Sequence, residues 1–453
     1  MGFAEPEQAR RLGREPRVAQ LVHVGLLGCG NIGGALARLL FADGERIAER
    51  TGVDFRLARV AVHSVALDWG VPGIEPLLTE DAASIVADPG VDIVVELIGG
   101  ITPARELILA ALGHGKPVVT ANKELLAKHG PELWKAADVA GVDLLFEAAV
   151  GGGIPLIRAL RESLAGERVQ RVMGIVNGTT NYILTRMTAS GASYQDALAE
   201  AQSLGYAESD PTADVEGHDA ASKATILANV AFGAELAAGD VYREGISGIT
   251  PQDITAAARL GFVIKLLAVA EAADGAIAVR VHPAMVPENH PLASVHNSFN
   301  AVFVEGASVG QLMLFGRGAG GSPTASAVLG DMIDAAHNMA SKGTSRRLEL
   351  HQVALKPIDE LRCPYYLSLY AADRPGVLSA IAGVLGRHRV SVRSMEQDAP
   401  ETEPAVQGAP EGEAHLVFVT HPAYERDVQA CLAELRLLET VRRIGGLIRV
   451  VGP

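Results

Sequence analysis

A glycine-rich turn between an apolar strand and a helix limits the folds open to this chain more than any other feature. Residues 21–27, LVHVGLL, are typical of a buried strand, the turn GCGNIG follows at 28–33, and GALARLLFA has the apolar spacing of a helix. In such a turn the first glycine permits the sharp bend, the second lets the backbone approach a pyrophosphate, and the third lets helix and strand pack closely. The helix N-terminus supplies N–H donors to the phosphates. The predicted dinucleotide contacts are Gly28, Gly30, Asn31, Ile32 and Gly33.

Further strands alternate with helical segments after this turn. The segments FRLARVAV (55–62), VDIVVELIGG (91–100), KPVVTANK (116–123) and VDLLFEAAVGGG (142–153) have the apolar content of buried parallel strands. The turn alone would also fit a glycine-rich connection without a ligand, but the repeated units favour a doubly wound α/β sheet with ligands at the strands' carboxyl ends. We predict an N-terminal Rossmann-type dinucleotide-binding domain at 19–150, after a tail at 1–18.

The end of the second strand bears on which cofactor binds. A strict preference for a free ribose hydroxyl calls for Asp or Glu there, but the strand ends Val62-His63-Ser64. Without the acid a 2′-phosphate is not repelled, and His63 or Arg59 could attract it. The alternative for His63 is a solvated loop residue. We therefore predict NADP or NAD, with the choice between them open.

One lysine lies where the nicotinamide of a dinucleotide is expected. Lys123 lies just past the strand PVVTA, in Thr120-Ala121-Asn122-Lys123, at the carboxyl end of a parallel strand. A lysine there can bind a substrate carboxylate or stabilise an oxyanion. The alternative is a solvated lysine in the first helical turn. Because a cation at a helix N-terminus is slightly unfavourable, a functional reason is favoured.

The densest group of charged residues lies at 201–223, AQSLGYAESDPTADVEGHDAASK. We predict a helix from about Val215 onward, which places Asp219 and Lys223 one turn apart on one face. The alternative is a surface ion pair, worth about 0.3–0.5 kcal/mol. The helix continues as apolar sequence, which favours an inward-facing pair. A buried lysine beside a carboxylate can donate a proton, and a carboxylate cluster suits a substrate that carries an ammonium group.

The charge balance and the cysteines exclude several functions. Acidic residues outnumber basic ones, 53 to 39, and the net charge of −14 argues against nucleic acid or an anionic membrane surface as a partner. The three cysteines have no metal-like spacing, and His218 and His282 have no zinc-ligand pattern around them. No apolar run is long enough to span a membrane, and the first residues lack an apolar signal core. We expect a cytoplasmic protein without a zinc site. The stretch before the first strand is too short for a fused kinase domain.

The last hundred residues form a separate pattern. After a polar linker at 341–362, the segment 363–453 alternates in the order βαββαβ, which is the ferredoxin-like arrangement. Its first helix follows the turn Asp373-Arg374-Pro375-Gly376. A Pro- and Glu-rich loop at 398–413, which has the composition of a mobile segment, joins the second and third strands. With its D-R-P-G-V-L turn, this segment resembles an ACT domain, a regulatory module that binds amino acids.

Several motifs in order resemble the homoserine dehydrogenases. Within 201–223 the matching positions are Ala201, Gly205, Tyr206, Asp210, Pro211, Asp214, Gly217, Asp219 and Lys223. The likeness extends over about 20–340 and includes VVELIGGITPA, VVTANKELLA, FEAAVGGGIPLIRALRESL, GIVNGTTNYILTRM, NAVFVEG and GRGAGGSPTASAVLGD. It implies the reversible, NADPH- or NADH-dependent reduction of L-aspartate 4-semialdehyde to L-homoserine, a step toward threonine, methionine and isoleucine.

The resemblance also implies a role for each matching residue. Lys223 would be the general acid, Asp219 would orient it and hold it charged, and Lys123 would hold substrate and cofactor and share the proton work. Glu208 would pair with the substrate ammonium. The remaining implied contacts are Asp214 and Thr179 for the substrate, His63, Thr120 and Gly320 for the cofactor, and Glu147, Val150, Gly152 and Ile154 for a sodium ion. The alternative for 151–153 is a flexible joint, and for the loop at Gly320 a tight turn.

The resemblance completes the domain plan and leaves rival functions. It implies an α+β catalytic and dimerisation domain at 151–321, a helix at 322–340 that packs back on the first domain, a homodimer or homotetramer, and threonine as the effector of the ACT domain. The alternative for that domain is a dimerisation appendage without a ligand. Two rival functions are a non-catalytic nucleotide and amino-acid sensor and an oxidoreductase for another amino-acid semialdehyde. The intact Lys123, Asp219 and Lys223 set favours catalysis, since a sensor does not need it.

Overall fold

The computed structural model describes residues 19–273, 275–398 and 412–452. The predicted tail at 1–18 and most of the predicted Pro- and Glu-rich loop lie outside the described residues. The chain divides into two compact units. The first contains the described residues up to Pro155 together with Ala319–Leu348, and the second contains Leu156–Gly318 and the described residues from Glu349 onward. In the described part of the chain, no helix combines the length and apolar content needed to cross a membrane.

The first unit is built on a six-stranded parallel sheet in the order β3-β2-β1-β4-β5-β6. Its strands are β1 Gln20–Leu27, β2 Val53–Ala61, β3 Leu78–Thr79, β4 Ile93–Glu96, β5 Val118–Thr120 and β6 Leu144–Leu145. The strand order reverses between β1 and β4, and the glycine turn that follows β1 lies at this switch point, where doubly wound sheets bind their ligands. This is the predicted Rossmann-type sheet.

The strands β4, β5 and β6 are shorter than the sequence predicts. The predicted strand 91–100 contains only Ile93–Glu96, after which the backbone N–H groups of Ile98 and Gly99 donate to the Glu96 side chain. The predicted strand 116–123 ends at Thr120, because the side chain of Asn122 accepts from the backbone N–H of Leu125 and caps the following helix. The predicted strand 142–153 contains only β6, after which Glu147–Ala149 form a 3₁₀ turn. The two-residue β3 was not predicted.

Helices cover both faces of this sheet. They span Asn31–Thr51, Ala82–Ala87, Ala104–Gly113, Lys123–Ala140 and Gly321–Ser341. The last of these packs against Asn31–Thr51 and buries Val328, Met332 and Ala335 in the core of the first unit. A segment distant in sequence therefore contributes one helix to the nucleotide-binding fold.

The second unit contains one large mixed sheet. The main path runs β12-β11-β7-β9-β10-β19-β15-β17-β16, and β8 and β13 also pair with β10. The strands are β7 Val169–Ile175, β8 Tyr242–Arg243, β9 Phe262–Ala273, β10 Ala276–Pro287, β11 Phe299–Gly306, β12 Gly310–Arg317, β13 Ala354–Leu355, β14 Arg362–Cys363, β15 Tyr365–Ala372, β16 Val392–Asp398, β17 Glu413–Thr420, β18 Ala423–Tyr424 and β19 Val441–Val450. The pair β14 and β18 forms a separate small sheet.

The helices of the second unit include those that carry the charged segment. They span Gly178–Ser190, Tyr194–Ser203, Thr212–Val215, His218–Phe232, Pro251–Arg259, Val377–Arg387 and Glu425–Leu435. The single helix predicted from about Val215 is in fact broken. Gly217 has φ +77° and separates Thr212–Val215 from His218–Phe232, because a left-handed residue cannot continue a right-handed helix.

The C-terminal strands have the ferredoxin-like order β19-β15-β17-β16, with antiparallel pairing throughout. Their two helices pack on one face and enclose a core that includes Leu367, Ile381, Phe418 and Leu432. Sequence analysis predicts this module and the segment 151–321 as separate domains. In the structure they share one sheet, because the end of β19 pairs in parallel with β10, with Ala284 opposite Arg449 and Met285 opposite Val450.

Candidate active site

An ion pair in the helix His218–Phe232 is the centre of the candidate site in the second unit. The Nζ atom of Lys223 lies 2.7 Å from Oδ2 of Asp219, and it also donates to the carbonyl oxygen of Val176 at 2.7 Å. The two side chains are only 9 % and 8 % exposed. The pair is therefore not the solvated surface ion pair that the sequence left as an alternative, since burial keeps water from screening it.

The side chain of Asn177 joins the two acidic positions of this site. Its Nδ2 donates to Oδ1 of Asp214 at 2.7 Å and to Oδ2 of Asp219 at 2.9 Å. Its Oδ1 accepts from the backbone N–H of Thr180 at 2.9 Å and so caps the helix Gly178–Ser190. Sequence reasoning quoted the motif NGTTNY but missed this residue. The available signal was an N-cap asparagine directly after a buried strand.

Thr179 lies at the start of the same helix and is buried. Its hydroxyl donates to the carbonyl oxygen of Tyr206 at 2.6 Å, so it fixes the loop after the helix Tyr194–Ser203. Gly178 lies so close to Ser298 that an added Cβ would be 2.8 Å from its carbonyl oxygen. These contacts bring the NGTTNY segment and the 205–210 loop together.

Glu208, a predicted substrate residue of the second unit, is not included in these contacts. It is exposed, and only its backbone carbonyl makes a hydrogen bond, from Nε2 of Gln202 at 2.9 Å. The Asn177 amide thus brings together Asp214, Asp219 and Lys223, whereas the Glu208 side chain has no hydrogen bond or ion pair within the described ranges. Tyr206, two residues earlier, is 44 % exposed, and its ring is tilted against that of Tyr182 with 4.8 Å between centroids.

In the first unit, the glycine turn has the close packing that its pattern predicts. Gly28 has φ +100°, and a Cβ added to Gly33 would lie 2.0 Å from the carbonyl oxygen of Gly28. A Cβ added to Gly30 would meet nothing within 4 Å. Gly33 is therefore required by the packing of helix on strand, whereas the empty space beside Gly30 suits the approach of a phosphate.

A cavity of about 430 Å³ opens beside this turn. Gly28, Gly30 and Val62 line one part of it, and His63 and Trp69 line another, with their rings edge to face and 5.0 Å between centroids. Glu80 also lines the cavity and accepts from the backbone N–H of Val65. Sequence reasoning looked for an acid only at the end of β2. Glu80 was missed because it follows β3, which pairs with β2 only in the folded sheet.

The carboxyl ends of β4 and β5 are tied together by a buried carboxylate. Glu96 accepts from the Thr120 hydroxyl at 2.7 Å and from the backbone N–H groups of Ile98 and Gly99. Glu96 and Thr120 are completely buried. Thr120 therefore holds the loop after β4, and its hydroxyl is already used within the protein. Lys123 is half-buried and begins the helix Lys123–Ala140.

The second predicted cofactor loop meets the first one. Gly320 has φ +118°, and a Cβ added to the next residue, Gly321, would lie 2.8 Å from the backbone carbonyl oxygen of Asn31. The loop at Gly320 is thus packed on the dinucleotide turn.

The four residues predicted to hold a cation belong to one loop of the first unit. Glu147 is buried, and its N–H donates to Oδ2 of Asp331. Gly151 and Gly152 have left-handed backbones, and the N–H of Ile154 donates to the carbonyl oxygen of Gly151. A buried carboxylate in a loop with several backbone carbonyls is the oxygen-rich chemistry that a hard cation needs. In the described ranges, no group of three His, Cys, Asp or Glu side chains forms a metal site.

Comparison with known proteins decides the family. Residues 28–147 match the NAD-binding domain of homoserine dehydrogenase, 155–333 match homoserine dehydrogenase, and 365–436 match the ACT domain. The chain is 48 % identical to homoserine dehydrogenase from Mycobacterium bovis, over 95 % of this chain and 98 % of the relative. This chain belongs to the homoserine dehydrogenase family. Its activity is that of a homoserine dehydrogenase, EC 1.1.1.3, which is the first of the functions predicted from the sequence.

Solved homoserine dehydrogenases share the fold. The crystal structure of the homoserine dehydrogenase from Thiobacillus denitrificans is 41 % identical, with a TM-score of 0.89 over 96 % of this chain and 99 % of that one. A hyperthermophilic archaeal homoserine dehydrogenase in complex with NADPH is 30 % identical, with a TM-score of 0.59 over 72 % of this chain and 100 % of that one. The predicted NAD(P)-binding domain and C-terminal ACT domain are therefore confirmed.

Proposed function

We propose that Lys223 supplies the proton in the reversible reduction of L-aspartate 4-semialdehyde to L-homoserine. When bound, the nicotinamide supplies or removes the hydride at the reacting carbon. In reduction, the Lys223 ammonium gives a proton to the aldehyde oxygen and recovers one from solvent. In oxidation, the neutral amine takes the proton from the hydroxyl. The observation that carries the proposal is the 2.7 Å contact between Lys223 and Asp219 in a site that is almost closed to water.

Asp219 and Asn177 would orient this lysine. The carboxylate of Asp219 fixes Nζ of Lys223 and favours its charged form, while the Asn177 amide fixes the carboxylate. Both contacts are made by the protein's own side chains, so the fold itself would hold the proton donor in place. Lys123, which begins a helix at the carboxyl end of β5, would bind cofactor and substrate and share the proton work.

The substrate ammonium needs carboxylates, and the proposed ones are Glu208 and Asp214. Asp214 is half-buried and already held by Asn177, whereas the exposed Glu208 is able to turn toward a ligand. Thr179 would position backbone and hydroxyl groups against the substrate. In this proposal the second unit recognises the amino-acid end of the substrate, and Lys223 acts on its aldehyde end.

The residues around the glycine turn fit a dinucleotide. The space beside Gly30 would take the pyrophosphate, the N-terminus of the helix Asn31–Thr51 would face it, and His63 and Trp69 line the cavity where the adenosine half would lie. Asn31, Ile32, Thr120 and Gly320 complete the proposed set. Glu80, an acid of the kind that favours NAD, lines the same cavity as His63, which would favour the 2′-phosphate of NADP. We therefore propose that both cofactors are used.

Further proposals concern ions, regulation, assembly and location. Glu147 with the carbonyl groups of Val150, Gly152 and Ile154 would hold a sodium ion. The ACT domain would bind threonine as the feedback effector. The chain would form a homodimer or homotetramer through the catalytic segment and act in the cytoplasm.

One set of initial rates tests the proposals on cofactor, effector and ion together. Oxidation of NADPH and of NADH is followed with aspartate semialdehyde, with and without threonine, in sodium or in tetramethylammonium buffer. We expect turnover with both cofactors, inhibition by threonine and a lower rate without sodium. No turnover under any of these conditions would contradict the activity, while unchanged rates with threonine or without sodium would remove that effector or that ion alone.

A further inference from the structure

A cavity in the second unit contains unpartnered polar atoms that the dehydrogenase reaction does not use. It has a volume of about 320 Å³ and lies where β14 and the end of β19 meet the strands β7, β9 and β10. A second cavity of about 520 Å³ adjoins it and shares Glu271, Arg280 and Arg362 with it. Volumes of this size are typical of sites for small molecules.

Positive charge dominates the lining of the smaller cavity. Arg171, Arg280, Arg362 and Arg449 line it, against the single carboxylate of Glu271. Arg171 and Arg449 are held by ion pairs with glutamates that lie outside the lining. Arg362 is exposed, stacks over Tyr424, and has no carboxylate partner among the described residues. Arg362 therefore gives the cavity a positive charge that no carboxylate of the described residues neutralises.

Two buried atoms in this wall have no hydrogen-bond partner in the described part of the chain. They are Nε of Arg280 and Nε2 of His282, whose residues are only 8 % and 4 % exposed. Arg280 uses Nη1 on Glu271 at 2.8 Å, which leaves its Nε–H as an unused donor. Leaving such a group buried and unpaired is destabilising, and a ligand that accepts from it can offset that cost.

The unpartnered nitrogen of His282 is an acceptor. Its Nδ1 lies 2.8 Å from the carbonyl oxygen of Pro283, which can only accept, so Nδ1 carries the hydrogen. Burial lowers the pKa of His282 well below its usual range, and the charges of Arg449 and Arg280 lower it further. The ring is therefore neutral, and Nε2 presents a lone pair. The wall thus offers donors for an anion and an acceptor for an N–H group.

We propose that this cavity binds a small α-amino acid. The guanidinium groups of Arg280 and Arg362 would hold its carboxylate. The lone pair of His282 and the carboxylate of Glu271 would accept from its ammonium group. The proposal does not depend on the dehydrogenase mechanism, and the site is separate from the turn Asp373–Gly376 of the ACT domain. The turn follows the last residue of β15, whereas the cavity is lined by Cys363 and Pro364, just before the first residue of β15. The eight extended residues of this strand span about 27 Å.

Ligand binding in this cavity would stabilise the contact between two parts of the second unit, β10 and β14. Arg280 and His282 belong to β10, while Arg362 belongs to β14, which precedes the C-terminal module. A ligand that contacts both parts stabilises their association by its binding free energy. The proposed amino acid would thus contact β10, a strand of the catalytic segment, directly.

Calorimetric titration of the full chain, without cofactor or substrate, tests the proposal. The probes are L-threonine, L-methionine and L-aspartate, each added separately, and propionate, which has a carboxylate but no ammonium. The titrations are made with the Asp373→Ala variant, which is meant to impair effector binding at the turn of the ACT domain so that binding to the cavity is measured by itself. We expect at least one amino acid to bind to Asp373→Ala, at least tenfold more tightly than propionate, and to raise its thermal midpoint.

Two variants locate the binding, and a third serves as control. In the Asp373→Ala background, Arg362→Met and His282→Phe should each weaken binding at least tenfold. Arg393→Met, an exposed arginine on β16 away from the cavity, should leave it unchanged. Since Arg362 is exposed, its substitution tests the site even if His282→Phe fails to fold. Basal turnover of Arg362→Met should stay within twofold, which separates this test from that of the enzyme. The proposal is overturned if no amino acid binds, if propionate binds equally well, or if Arg362→Met binds as the parent does.

Discussion

The side-chain amide of Asn177 donates to the same oxygen of Asp219, Oδ2, that receives the ammonium of Lys223. Asn177 comes from the end of β7 and Lys223 from a helix 46 positions later, so one carboxylate oxygen joins two distant segments. This arrangement makes the position of the lysine depend on the cap of a neighbouring helix.

Removal of the lysine amine tests its part in proton transfer. Lys223→Ala should lower kcat by about 10²–10⁴-fold, the range for the loss of a general acid, because water must replace the held ammonium. Binding of NADPH, followed by its fluorescence, should persist. Lys128→Ala, which removes an exposed lysine paired with Glu124, is the matched control and should retain its rate. A Lys223→Ala enzyme of nearly normal turnover would exclude this lysine from the chemistry.

Two substitutions of Asn177 separate its helix cap from its amide contacts. Asn177→Ser keeps an oxygen that can cap the helix Gly178–Ser190 but loses the donor to Asp214 and Asp219, whereas Asn177→Ala loses both. We expect both variants to lose roughly 10- to 100-fold in kcat, the equivalent of one hydrogen bond to a charged group. In urea unfolding, the alanine variant should be about 1 kcal/mol less stable than the serine variant. If only the alanine variant loses activity, the amide contacts are unimportant.

Two glycines of the dinucleotide turn should respond differently to substitution by alanine, one in NADPH binding and the other in stability. Gly30→Ala meets no protein atom within 4 Å and should leave the free energy of unfolding unchanged, while NADPH binding weakens because the methyl group occupies the phosphate approach. Gly33→Ala places a Cβ 2.0 Å from the carbonyl oxygen of Gly28 and should cost about 1–3 kcal/mol of stability. Urea unfolding and fluorescence titration measure the two effects. Equal destabilisation by both variants would contradict this division of roles.

A buried lysine outside the site predicts an unusual dependence of stability on pH. Lys265 is 1 % exposed and donates to Oδ1 of Asn181 and to the carbonyl oxygen of Val295. Burial lowers its pKa from 10.5 to about 8. Between these two values the unfolded chain holds a proton that the folded chain has released, so the free energy of unfolding rises with pH there. The full gain is roughly 3 kcal/mol.

The measurement compares two proteins so that other titrating groups cancel. Urea unfolding of the wild type and of Lys265→Met is followed from pH 7 to pH 10.5. The wild type should gain stability relative to the variant between pH 8 and pH 10.5, and Lys128→Met should show no such difference from the wild type. Parallel curves for the wild type and Lys265→Met would mean that the lysine keeps its ordinary pKa.

Sequence reasoning located β1 within one residue, because Gly28 follows it and ends the apolar run. The strands β4, β5 and β6 were predicted too long, since a loop follows β4, the Asn122 cap of a helix follows β5 and a 3₁₀ turn follows β6. Apolar content shows that a segment is buried, but hydrogen bonds decide where a strand ends.

In the candidate sites, local spacing found some groups and missed others. Asp219 and Lys223 were predicted together because helical spacing places them one turn apart. Asn177, Glu80 and Glu96 were missed, since each meets its partners only after strands or helices from elsewhere in the chain are in place. Glu208 was predicted beside the substrate, and its place there remains a prediction.

The sequence by itself determined the nucleotide-binding turn, the ferredoxin-like order of the last module and the pairing of Asp219 with Lys223. These follow from glycine geometry, from apolar periodicity and from the pitch of a helix, all of which act over a few neighbouring residues. Only the tertiary structure decided that Asn177 holds this pair, that the strand containing Arg449 joins the catalytic sheet, and that Arg280 and His282 share one cavity wall. Such contacts depend on which distant segments become neighbours when the core is packed, and no short stretch of sequence contains that information.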